Sequence, residues 1–228
     1  ITVKRNSSPT VFGECGACPG LESTPANVSD FSATAYVFAS YLRKVLNVPV
    51  GVIWSSWGGS KIESWINKEV YTEKFPEISL SVLTKDPKDI ARPKDEPTLL
   101  YNAMIHPIKQ FTIKGTIWYQ GESNLNNPQV YKRLFPAMVR SWRKEWNQGE
   151  FPFYYVQLSS IDRPSWPWFR DSQRRMLRSI PNSGMAVSSD HGDSLDVHPR
   201  HKREIGERLA HWALNKTYGH DCLPSGPL

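Results

Sequence analysis

Long hydrophobic runs are missing from this chain. No stretch of its 228 residues approaches the roughly 20 apolar residues that a spanning helix needs, so no membrane span is expected in it, and no secretory leader is recognised in it. Cysteine is scarce too. Cys15 and Cys18 form a C-x-x-C between glycines and a proline, and Cys222 is the third and last. Without a second C-x-x-C there is no four-thiolate zinc site. The flanking Gly16, Pro19 and Gly20 suit a loop rather than the helix start that a redox pair requires, leaving a local disulfide or two free thiols. Long runs of one charge are also lacking. The net charge is +6, but the basic residues are scattered. The densest group, Arg170 to Arg178, is interrupted by apolar positions at helical spacing and reads as a solvated helix face, so no nucleic-acid partner is expected. Internal repeats and the G-x-x-x-x-G-K-[ST] phosphate loop are absent as well.

What is present is an ordinary globular balance, 39% hydrophobic and 22% charged, in a chain long enough to bury a sizeable core. Tryptophan, at nine residues, is abundant. Most indoles fill cores, but an exposed one can pack on the apolar face of a sugar ring, and Trp57, Trp166 and Trp168 are candidates.

Short apolar runs alternate with amphipathic segments. Ile1–Val3 reads as a strand, and Pro49–Trp54 as a run buried on both faces of a parallel sheet. Further strands are expected at Gly115–Tyr119, Phe153–Leu158 and Gly184–Val187. Helices are expected at Asp30–Leu46, with Phe31, Ala35, Phe38, Leu42 and Val45 on one face and Ser29 or Asp30 as cap. Others are expected at Pro128–Trp146, Phe169–Ile180 and Pro199–Leu214. The charged, proline-rich stretch Lys85–Pro97 is expected as a surface loop. This alternation predicts an α/β domain with a parallel sheet. In such a sheet ligands meet the loops at the carboxyl ends of the strands.

Three of those loops carry chemistry. After Trp54 comes Ser55-Ser56-Trp57-Gly58-Gly59-Ser60, where a glycine pair lets the backbone approach a ligand and offer an N–H, or simply makes a tight turn. After Tyr119 comes Gln120-Gly121-Glu122-Ser123-Asn124. Here Asn124 can donate to a developing oxyanion or start an Asx turn before the next helix. After Val187, the loop Ser188–Pro199 crowds Asp190, Asp193 and Asp196 with His191 and His198. A histidine beside an aspartate suits a general base whose protonated form is stabilised. A metal site drawn from His191, Asp193, Asp196, His198 and His201 is the competing reading, although the spacing matches no zinc signature.

These loops together resemble the SGNH hydrolases, specifically the sialate O-acetylesterase-like carbohydrate esterases. The resemblance is carried by Pro49–Trp65, by Tyr101-Asn102-Ala103-Met104-Ile105-His106-Pro107, by Lys114–Asn124, and by Asp196-Val197-His198-Pro199 with Lys202. It implies a three-layer α/β/α, flavodoxin-like fold over residues 1–228, as a single SGNH-type esterase domain lacking its first core strand. It also implies a serine-type hydrolysis of acetyl esters on sugars, sialate or another acetylated glycan, with no cofactor and no metal, in a secreted or periplasmic protein. By resemblance His198 is the general base, and Gly58 or Gly59 with Asn124 are oxyanion donors. The acid partner usually stands three residues before the histidine, which here is Leu195, so Asp196 is assigned instead, with Asp193 as the alternative. The family's nucleophile lies in an N-terminal Gly-x-Ser-Asn block, which implies an associated upstream segment carrying the serine. Gly121-Glu122-Ser123-Asn124 makes Ser123 the internal alternative. A carbohydrate-binding or inactive esterase relative is the main rival function.

Overall fold

A computed structural model describes residues 1–14 and 20–225. The Cys15-x-x-Cys18 pair therefore lies outside the described residues. The centre is a parallel sheet of β1 (Thr116–Trp118), β2 (Phe153–Val156) and β3 (Ser183–Ala186), in the order β1-β2-β3. Ile117 pairs with Tyr154, and Tyr154 with Gly184. Among the described residues, five α-helices accompany it: α1 (Ala33–Leu46), α2 (Lys68–Lys74), α3 (Pro128–Trp146), α4 (Trp166–Met176) and α5 (Lys202–Trp212).

Both faces of the sheet are covered, because successive side chains of a strand point in opposite directions. Trp118, Phe153, Tyr155 and Met185 enter one core with Leu134, Phe135, Met138 and Trp142 of α3 and Phe169 and Met176 of α4. Tyr154, Val156 and Ala186 enter a second core with Leu42 of α1 and Ile205, Leu209 and Trp212 of α5. This is the expected α/β/α layering, and it explains why these strands read as continuous apolar runs.

Several boundaries moved. Helix α1 starts after Ser32, whose Oγ accepts the Ala35 N–H at 3.3 Å, so neither Ser29 nor Asp30 is the cap. Val45, expected on its apolar face, is exposed. Helix α4 starts at Trp166, with Pro167 in the first turn where its missing N–H costs nothing. Helix α5 starts only at Lys202. Pro49–Trp54, expected as a strand, is bridged among the described residues to the N-terminal segment alone. Thr2 bridges Trp54, Val3 N–H donates to Trp54 O and Trp54 N–H to Ile1 O. Ile53 and Trp54 are only half-buried. With bonds along one edge, the pair does not propagate into the ladder of β1. The Lys85–Pro97 stretch is a chain of short turns, as its composition requires.

The Tyr101–Pro107 block proves to be a staple. Asn102 Nδ2 donates to Ser8 O at 2.9 Å, His106 Nδ1 lies 3.0 Å from Phe12 O, and Phe12 N–H donates to Asn102 O. Ser55 Oγ in turn donates to Met104 O at 3.0 Å. The block thereby holds the N-terminal segment and the start of the glycine loop against one buried turn.

Candidate active site

The carboxyl end of β1 runs into Gln120, Gly121 and a tight helical turn, Glu122–Asn124. Gly121 is required here: a Cβ would lie 2.8 Å from the Phe169 ring and 3.2 Å from Leu158. Close packing on α4 thus sends the chain into the turn that buries Asn124. Asn124 Oδ1 accepts the Ile62 N–H at 2.9 Å and Gln120 Nε2 at 2.8 Å. Its Nδ2 donates to Glu63 Oε2 at 2.7 Å, which leaves one N–H of the amide for another acceptor. Gln120 Nε2 also donates to Ser60 O at 3.0 Å.

These bonds join two loops far apart in sequence. The glycine loop is a four-residue turn in which Ser60 N–H donates to Trp57 O at 3.3 Å and Gly59 has a φ of 70°. Positive φ at the third position is the mark of a type II turn, and glycine adopts it without strain. Gly58 and Gly59 are exposed, whereas Ser60 is buried and anchored by Trp65 Nε1 at 2.9 Å. The N–H groups of Gly58 and Gly59 donate to no acceptor among the described residues.

The third loop follows β3. Arg208 on α5 forks onto Asp190, with Nη1 2.7 Å from Oδ1 and Nη2 2.5 Å from Oδ2, and Nη1 also reaches Val187 O. That hydrogen-bonded pair holds the Asp190 carboxyl well below the usual range, at about 2, and pins the base of the loop. Asp193 Oδ1 accepts the N–H groups of Leu195 and Asp196 at 2.8 and 3.1 Å, which lowers its pKa and shapes the loop. Asp196 Oδ1 lies 3.4 Å from His198 Nδ1 and accepts the His198 N–H at 2.8 Å. Of the two carboxylates, Asp196 is thus the one beside the ring. The His198 side chain itself is 87% exposed.

Glu122 stands two residues before Asn124 in the turn after β1. Burial raises its pKa, against the opposing pull of Lys202 and His198 nearby. Lys202, at the start of α5, lies 4.9 Å above the Tyr119 ring, and desolvation lowers its pKa while Glu122 and Asp196 oppose the shift. Asn124 is thus bonded to the segment that follows Gly58 and Gly59, while His198 and Lys202 lie near enough to Glu122 to favour its charged form. Sequence reasoning overlooked Glu63, Gln120 and Glu122. Their only signal was adjacency to the glycine and asparagine blocks, and adjacency does not say which side of the chain faces inward.

Ser123 is half-buried, immediately before Asn124. Trp166, a sugar-platform candidate, is 1% exposed and donates its Nε1 to Ser159 O, so it is a core residue. Trp57 is half-buried against the core, and Trp168 is 74% exposed. Among the described residues no three His, Cys, Asp or Glu side chains are grouped to hold a metal ion, and no helix is long and apolar enough to cross a membrane.

A parallel α/β sheet with helices on both faces and polar loops after β1 and β3 defines the class. The chain belongs to the carbohydrate esterase family described as sialic acid-specific acetylesterases, whose model matches residues 22–215. It is 34% identical over 220 residues to the sialate O-acetylesterases of Homo sapiens and Pongo abelii, covering 86% of this chain and 41% of theirs. A carbohydrate acetylesterase from Xanthomonas citri superposes with a TM-score of 0.87 at 35% identity, over 100% of this chain and 51% of that one. The chain thus spans about half, or less, of the length of these relatives.

Proposed function

We propose that this chain supplies the oxyanion donors and the general base of a carbohydrate O-acetylesterase that cleaves acetyl esters on sugars by a serine-type, acyl-enzyme mechanism. The observation that carries this reading is the bonding of Asn124 to Ile62 and, through Gln120, to Ser60. Those bonds tie a buried amide to the segment after Gly58 and Gly59, whose N–H groups donate to no acceptor among the described residues, and Asp196 sits beside His198, whose ring lies near Glu122. In the proposed chemistry His198 takes the proton of a serine hydroxyl as that oxygen attacks the acetyl carbonyl, and Asp196 steadies the imidazolium. The oxyanion is met by a glycine N–H, by Asn124 Nδ2 and by the serine's own N–H. His198 then protonates the departing sugar hydroxyl, and water repeats the sequence to release acetate. No cofactor enters this scheme.

We assign the nucleophile to a serine in an upstream segment of the full-length protein, associated with this chain. The much greater length of the relatives supports this. Ser123 is the alternative within the chain. Esterase activity of the full-length protein towards p-nitrophenyl acetate and an acetylated sugar, abolished by His198→Ala and by a serine-directed phosphonate but not by Ser123→Ala, is the expected result. Activity insensitive to His198→Ala would overturn the mechanism. Binding of the sugar without turnover by the full-length protein would favour a carbohydrate-binding or inactive relative, and loss of activity on chelation would favour a metal-dependent hydrolase. The same reading places the protein in the periplasm or outside the cell, where glycan polymers are met, and cell fractionation tests it.

A further inference from the structure

We propose that Lys94 is a positioning residue for the oxyanion site: by gripping the carbonyl of Gly58 it fixes the direction in which the Gly59 N–H points. The proposal rests on the acyl-transfer reading above and extends it to a residue outside the three site loops.

The geometry is a clamp. Lys94 Nζ donates to Gly58 O at 3.0 Å. Its own backbone carbonyl accepts the Lys61 N–H at 3.1 Å and Ser64 Oγ at 2.6 Å. Lys94 is thus tied just beyond the glycine turn and reaches back over it. The approach is close enough that a Cβ on Gly59 would lie 2.8 Å from Nζ.

The reason to hold this carbonyl lies in turn geometry. Type I and type II turns keep the same ends and differ mainly by a flip of the central peptide. Here the ends are held: Ser60 N–H bonds Trp57 O, and Ser60 is buried under the Trp65 indole bond. The central peptide, the Gly58 carbonyl with the Gly59 N–H, is flanked by glycine on both sides. Glycine tolerates either sign of φ, so the chain itself does little to resist the flip. The two groups of a trans peptide point in opposite directions. An ammonium on the Gly58 carbonyl therefore keeps the Gly59 N–H aimed the other way. A charged donor on that carbonyl also polarises the same peptide and strengthens its N–H as a donor. Donors aimed in advance at the developing charge are what an oxyanion site requires.

The test uses the full-length protein with Lys94→Met, Lys94→Arg and, as a control in the same loop, Lys88→Met. With p-nitrophenyl acetate, Lys94→Met is expected to lower kcat by about 10- to 100-fold with little change in KM, because the lost donor matters most in the transition state. Lys94→Arg, which can still reach the carbonyl, should restore most of that loss, and Lys88→Met should leave the rate unchanged. In 15N-glycine-labelled protein the Gly59 amide resonance should shift in Lys94→Met and return towards its position in Lys94→Arg, with the melting temperature close to wild type throughout. A purely structural lysine would move stability without this split between kcat and KM. An unmoved Gly59 amide, or an unchanged kcat in Lys94→Met, would overturn the clamp. A wild type without esterase activity would instead overturn the functional reading, and the amide shift would still decide whether Lys94 holds the peptide.

Discussion

Asn124 donates its side-chain amide to Glu63 across 2.7 Å, while its carbonyl oxygen accepts from the Ile62 backbone. One buried side chain thus fastens the turn after β1 to the segment after the glycine loop. Asn124→Ala would leave Ile62 N–H and Gln120 Nε2 without this acceptor inside the fold, at a cost of about 1–3 kcal/mol for each buried group stranded. It would also remove the proposed oxyanion donor, so kcat should fall by about 100- to 1,000-fold. Asn124→Asp keeps the acceptor but sets a carboxylate against Glu63. Its thermal stability should recover on acidification towards pH 4, which a melting series against pH would read.

His198 is exposed, so truncating it strands no buried group. His198→Ala should therefore keep the wild-type melting temperature and lose at least about 1,000-fold in kcat/KM. The two aspartates separate in the same assay. Asp196→Ala removes the carboxylate beside Nδ1 and should approach the histidine variant in its effect on rate. Asp193→Ala removes only the two N–H acceptors that shape the loop, so its rate loss should be much smaller.

Glu122 is held in a site that raises its pKa through burial. A carboxyl whose folded pKa exceeds its unfolded value of about 4.3 binds its proton better when folded, so ionising it in place costs stability as pH rises. Glu122→Gln should raise the melting temperature at pH 7 and change it little near pH 4. A constant difference across that range would count against burial as the cause.

Trp166 and Trp168 stand two residues apart and should behave oppositely. Trp166, buried with its Nε1 bonded, should cost about 3–5 kcal/mol when changed to Ala. Trp168, at the exposed start of α4, should leave stability unchanged. If it serves as a sugar platform, Trp168→Ala raises KM for an acetylated oligosaccharide but not for p-nitrophenyl acetate, as paired kinetics would show.

Acid should loosen the base of the histidine loop. The Arg208–Asp190 fork lowers the Asp190 pKa to about 2. Its contribution to stability is present above the unfolded value of about 3.9 and is lost as pH falls through about 2. Arg208→Met should remove that component of the acid transition, and hydrogen exchange of residues 188–192 at neutral pH should rise.

Much of the fold was legible because its strands are short, apolar and buried on both faces. β1 and β2 fall within the expected runs, β3 starts one residue before its own, and α3 has the expected bounds of Pro128 and Trp146. Pattern was weaker where tertiary contacts decide. The Pro49–Trp54 run has the composition of a buried strand, yet a ladder needs a partner along its edge as well as apolar side chains. Helix α2 is short and largely polar, and it depends on the Asn67 cap and on burial of Val70 and Tyr71 rather than on any long periodicity. By itself the amino-acid order determined the α/β class and the blocks that mark the family, since period, glycine placement and Asp-x-His spacing are local properties of the chain. Only the tertiary structure decided that Asn124 spends one N–H on Glu63, that Asp196 rather than Asp193 lies beside His198, that Trp166 is core, and that Lys94 reaches back to Gly58. Each of these depends on which groups compete for the same hydrogen bond or the same buried space, and only folding brings those competitors together.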